Sequence, residues 1–181
     1  VVPAIAWAEL GIEGDPREVL AALRDVLADA PRELTVTYMD VPAMDPSAPA
    51  GASISAVWAG EDVEALRASL APLLARDDVT ETVIERRAYR DVLLEMPAAD
   101  PNTPMPGFIG GNTLLRELDS AVIDELVSFR ASNEASVLFL RSLGGAYGDP
   151  AAGEVAAFPA REATWFAMTG AFDIPGLVSD E

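Results

Sequence analysis

Two apolar stripes at helical spacing, each set between stretches of strand composition, constrain this chain more than any other feature. Val19, Leu20, Leu23, Val26 and Leu27 form the first; Val63, Leu66, Leu70, Leu73 and Leu74 form the second, within a helix read over 61–75. A stripe of this kind must be covered by another apolar surface. Asp15-Pro16-Arg17-Glu18 opens the first helix: Asp15 suits the N-cap, Pro16 the first helical position, and Glu18 completes a pattern like a capping box. Pro31 is expected to end it. Strands are read at 1–10, 34–40, 53–59 and 79–86. The second holds Thr35, Val36, Thr37 and Tyr38, and the third places Ile54, Ala56 and Trp58 on one face. Residues 41–51, rich in Pro, Ala and Ser, read as the loop between these two strands.

The order is β-α-β-β-α-β, the ferredoxin-like split unit, whose sheet is antiparallel and carries its helices on one face. The remainder of the chain is expected to extend that sheet. A short helix is read at 89–95, a Pro-rich loop at 96–106 and a strand at 108–115. Asp119 caps a helix with Val122, Ile123, Leu126, Val127 and Phe129 as its apolar positions. Strands are read at 136–143, 155–158 and 164–169, with a Gly144-Gly145 turn between. The expected class is therefore α+β, one antiparallel sheet with helices on one face, over a single domain of 1–181.

The chain has no Cys and no His, and its net charge is -18. Without them there is no disulfide framework, no thiolate or imidazole metal site, and no Ser-His-Asp triad. The acidity excludes nucleic acid as a partner, because phosphate neutralisation needs clustered cations. It likewise opposes an anionic membrane surface, and no apolar stretch reaches the length of a membrane span. No signal peptide is read, so a cytoplasmic location is expected. Asp77-Asp78 and Asp91 with Glu95 lack the spacing of a calcium loop and read as solvated faces. Gly110-Gly111 and Gly144-Gly145 fit neither phosphate-loop pattern and read as turns.

Three stretches carry a resemblance. They are Leu143-Gly144-Gly145-Ala146 followed by Ala157-Phe158-Pro159-Ala160-Arg161; Gly111-Asn112-Thr113-Leu114-Leu115 followed by Leu118-Asp119 and Ile123-Asp124; and Ala30-Pro31-Arg32-Glu33-Leu34-Thr35. In this order and spacing the chain resembles the substrate domain of the FAD-linked oxidases related to berberine bridge enzyme and 6-hydroxynicotine oxidase. The resemblance covers essentially the whole chain. It implies an antiparallel sheet laid over a flavin ring, with FAD held mainly by a separate domain. It also implies a fragment of a larger protein, inactive alone and not itself carrying FAD. The parent would oxidise a small organic substrate by hydride transfer to the flavin. Ala160 stands where that family commonly has His, and Ala156 where it commonly has Thr. Asn112 falls near the family's Lys-Ser.

Candidate substrate contacts follow from strand alternation. Arg141 shares a face with Val137 and Phe139, while Leu138 and Leu140 share the other, which suits packing on helices. An Arg at that position suits a substrate carboxylate or a developing anion. Phe108, Asn112 and Leu114 alternate along another strand. Tyr38 and Trp58 are further candidates, with plain core packing as the competing role, and Trp165 reads as core. Arg161 is expected to form a structural salt bridge. The partners expected are a small-molecule substrate, the flavin domain of the same protein, and a second copy across the uncovered sheet face. The competing reading is a stand-alone, non-catalytic module that binds a ligand or dimerises.

Overall fold

The computed structural model describes residues 4–43, 51–92, 107–145, 147–149 and 160–173. Strand β1 (Ala4–Ile12) leads into helix α1 (Pro16–Ala28), then β2 (Leu34–Val41) and β3 (Gly51–Trp58). Helix α2 (Val63–Leu74) and β4 (Val79–Ala88) complete the first unit, and α3 (Tyr89–Val92) is a single turn. Then come β5 (Phe108–Leu115), α4 (Ser120–Ser132), β6 (Ser136–Ser142) and β7 (Trp165–Phe172).

All seven strands join one sheet in the order β4-β1-β3-β2-β6-β7-β5, and every pairing is antiparallel. The first four positions are the expected ferredoxin-like unit. The later strands add to it at the β2 edge, as expected from the sequence. Some elements differ in extent. Helix α1 stops at Ala28, before Pro31, and Gly51 already belongs to β3 rather than to the loop. The strand read at 155–158 lies outside the described residues, as does the second half of the helix read at 89–95.

Asp15, Asp62 and Asp119 cap α1, α2 and α4, each accepting a backbone N–H with its carboxylate. A cap of this kind contributes about 1 kcal/mol. Asp119 accepts from Val122 at 2.8 Å. Asp119→Ala is thus expected to lower the unfolding free energy by about 1 kcal/mol in urea melts. A change within error of zero would refute the capping role.

The stripes bury where the spacing says they should. Val19, Leu20 and Leu23 of α1 and Leu66, Leu70 and Leu73 of α2 are fully buried, and Ile123 and Val127 of α4 are nearly so. They pack on Ala6, Ala8 and Leu10 of β1, Val36 of β2, Ile54 and Ala56 of β3, and Leu138 and Leu140 of β6. The small side chains of β1 let the helices approach that strand closely, and each buried Leu contributes about 2 kcal/mol. One face of the sheet is thereby committed to the core. The other face is left open by these helices among the described residues.

Candidate functional site

Register decides which predicted residues meet. Thr37 of β2 stands opposite Arg141 of β6, and Met39 opposite Phe139. Arg141 in turn stands opposite Phe166 of β7, which faces Leu114 of β5, while Asn112 faces Met168. These side chains lie on the side of the sheet away from the helices. Arg141 and Asn112 line one cavity of about 380 Å³ there, with Leu114, Leu143, Tyr147 and Phe166. Phe139 stands beside it. Its ring meets Phe166 edge-on, with centroids 6.1 Å apart, and the Arg141 guanidinium lies 5.0 Å from its centre.

Phe108 shares the face but not the cavity. Its ring lies over Gly110 and Gly170 and tilts against Phe172 at 5.1 Å, covering the two glycines that face each other across β5 and β7. Gly110 and Gly111 are therefore strand residues, not a turn as read from the sequence. Gly145, in contrast, does turn the chain, at φ 58°.

Tyr38 is a correction. It stands opposite Leu140, on the helix side, and is fully buried. Its hydroxyl has no partner among the described residues. Burial pushes the phenol pKa well above its usual range, and the neighbouring Asp40 carboxylate pushes it the same way. Tyr38 borders a different cleft, also about 380 Å³, with Asp40, Arg130, Arg17 and Val127. Trp58 and Trp165 are likewise on the helix side, as core.

Arg161 is the second correction. It holds a carbonyl rather than a carboxylate: it donates to the Tyr147 backbone oxygen at 3.0 Å and lies 5.5 Å from the centre of that ring. The Tyr147 hydroxyl donates to the Ala160 carbonyl at 2.9 Å. Tyr147 is thus fixed from both ends as one wall of the cavity. The sequence reading missed it, although an aromatic residue two positions beyond Gly144-Gly145 is a usable signal. Phe166 was missed because a lone strand does not say which face its even-numbered positions take.

A larger cavity, about 520 Å³, lies elsewhere. It is bordered by Arg24, Leu27, Leu34, Arg116 and Trp165 at the ends of α1, β2 and β6. Arg24 is neutralised by Asp25 and Arg116 by Glu162. Both of its arginines are ion-paired and its remaining charge, Glu117, is one more carboxylate in an acidic chain, so size does not make it the better candidate. Asp78 of the Asp77-Asp78 pair is bound to Arg76 at 2.7 Å, and that guanidinium lowers its pKa. Among the described residues no three His, Cys, Asp or Glu side chains gather as a metal site, and no helix is long and apolar enough to cross a membrane.

A seven-stranded antiparallel sheet, with helices on one face and an aromatic, partly polar second face, is the architecture expected of the substrate domain of FAD-linked oxidases. Comparison with solved structures bears out the fold. BBE-like 1 of Physcomitrella patens superposes with a TM-score of 0.74 at 14% identity, over 95% of this chain and 39% of its own. CrmK, a flavoenzyme of caerulomycin biosynthesis, gives 0.71 at 17% identity, over 97% and 39%. The xylooligosaccharide oxidase of Myceliophthora thermophila C1, solved with xylobiose, gives 0.68 at 14% identity, over 99% and 41%. The chain therefore has the fold of one part of the berberine bridge enzyme-like, FAD-linked oxidases. It spans about two fifths of the length of these structures. No family model and no curated protein matches it.

Proposed function

We propose that this chain is the substrate-binding part of an FAD-dependent oxidoreductase, acting in the cytoplasm, that oxidises a small organic substrate. The observation that carries the reading is the open half-sheet of β2, β6, β7 and β5, where Arg141 and Asn112 meet Leu114 and Phe166 around one cavity. Its match in fold to flavoenzymes over nearly its full length supports it.

The residues present fit one part of what FAD needs and not another. Phe139, Phe166 and Met168 offer an aromatic and thioether surface suited to a flat ring. A diphosphate cradle is a different matter. The glycines of β5 are engaged in the ladder with β7, and Gly145 packs against the Arg32 backbone. The flavin's diphosphate is accordingly assigned to a second domain of the same polypeptide. Bound there, FAD would accept the hydride, and the protein would orient the substrate and keep water from it. What this chain supplies is position: Arg141 and Asn112 hold polar groups, and the aromatic wall holds the body.

Purification of the natural polypeptide that contains this chain tests the proposal. It is expected to carry one flavin, which substrate reduces under anaerobic conditions. The 181 residues alone are expected to be colourless. A reading frame without a flavin domain of roughly two hundred residues, or a full-length product free of flavin, would sink the proposal. The module reading would then stand in its place. Met39 and Phe108 on the open face, both about two fifths exposed, give that reading its footing as a dimer surface.

A further inference from the structure

Resting on the reading of the open face as a substrate wall, we propose that Arg141 is an anion receptor and that the substrate carries a carboxylate on a small apolar body. The distribution of charge points there first. The chain holds 30 Asp and Glu against 12 basic residues, so a carboxylate is close at hand almost anywhere on its surface. Nine of its arginines meet one within 4.0 Å among the described residues. Arg141 meets none. The reason is positional: the residues of β2, β6, β7 and β5 that share its side of the sheet include no Asp and no Glu. Among the described residues of these strands, this is a patch free of carboxylates around the exposed Arg141 guanidinium.

Geometry gives the second argument. Arg141 donates from Nε to the Thr37 hydroxyl at 3.2 Å, and its guanidinium carbon lies 5.0 Å from the Phe139 ring centre. These contacts fix the stem and the plane of the group. Both terminal nitrogens are left without a partner among the described residues. That end of the fork is the one that takes a carboxylate through two parallel hydrogen bonds.

Chemistry of the lining gives the third. The adjoining cavity of about 380 Å³ is walled by Leu114, Leu143, Phe166 and Tyr147, with Asn112 as its second polar side chain. An apolar wall reduces competition from water and strengthens a charge-assisted bond beside it. A molecule with one carboxylate, one apolar ring or chain and a further polar group matches this set. The overall charge of -18 opposes an anion at long range. Screening over about 8 Å at physiological salt leaves the short-range pair decisive.

Benzoate and its neutral isostere benzamide, titrated separately into the 181-residue chain and followed by heteronuclear NMR, test this. Benzoate is expected to shift the Arg141 Nε–H and the amides of β6 and β7, and to bind about tenfold more tightly than benzamide. Arg141→Gln is expected to abolish the preference. Arg141→Lys should keep only part of it, since an ammonium has no fork. Arg116→Gln, at the other cavity, should leave it intact. Equal affinity for the two probes, benzoate shifts confined to another surface, an unaffected Arg141→Gln variant, or no binding of either probe would each overturn the proposal. If benzamide still binds this face and only the preference is missing, the anion receptor fails and the substrate wall stands. The wall itself falls by a different measurement, the flavin content of the longer polypeptide.

Discussion

Arg130→Ala is expected to lower the unfolding free energy by about 3 kcal/mol, the low end of the range for removing one partner of a buried pair. Arg130 sits in the last turn of α4, where a cation also complements the carbonyl end of the helix. Its Nε donates to an Asp40 carboxylate oxygen at 2.8 Å, and the two side chains are only 18% and 12% exposed. Asp40 lies on the helix side of β2, two residues beyond the buried Tyr38, so its charge has little water to fall back on. The cleft between α1 and α4 admits some, which is why the low end of the range applies. Removing the guanidinium leaves a carboxylate beside an apolar floor of Val127 and Leu138. Asp40→Asn should then rescue the Arg130→Ala variant by more than about 1 kcal/mol, because it removes the uncompensated charge and keeps an acceptor. Urea unfolding of the two single variants and the double variant gives the coupling directly. Strict additivity, or a loss below about 1 kcal/mol for Arg130→Ala, would show that the pair does not tie α4 to the sheet.

The first unit was legible because its signals are local. Capping by Asp15, a stripe from Val19 to Leu27, and alternation through Ile54 and Ala56 each depend on residues a few positions apart. The candidate site was legible only in part, because it depends on register between distant strands. Alternation put Arg141 with Phe139 correctly, since both lie on β6. It could not say which residues of β2 share their side. The pairing of Thr37 with Arg141, 104 positions away, moved Tyr38 to the core and brought Thr37 and Met39 to the open face. Arg161 was misread for a related reason. A surplus of carboxylates in the composition suggests a carboxylate partner, but burial behind Tyr147 offers a backbone carbonyl instead. Phe108 was placed on the proper face, and only the glycines beneath its ring explain why it covers strand rather than the cavity.

Gly170→Ala is expected to detach β5 from the sheet, at a cost of about 2–3 kcal/mol. Gly170 of β7 faces Gly110 of β5 within the ladder. A Cβ at 170 would run into the Phe108 ring, and would stand 2.6 Å from the Ile109 carbonyl and 2.8 Å from the Gly110 Cα. The ring could swing aside, but the two backbone atoms could not without parting the strands. Because β5 is the outermost strand, it can leave without unfolding the rest. Amide exchange in Phe108–Leu115 should therefore rise far more than in β1 or β3. The site should suffer with it, since Asn112 and Leu114 ride on β5. Phe108→Ala in the same chain should restore little, because the backbone contacts persist. Gly111→Ala is the contrast. A Cβ there meets nothing within 4 Å, so that variant is expected to stay within about 0.5 kcal/mol of the parent. Should Gly170→Ala keep β5 protected and the unfolding free energy unchanged, close backbone approach at this crossing would not be what holds the outer wall of the site.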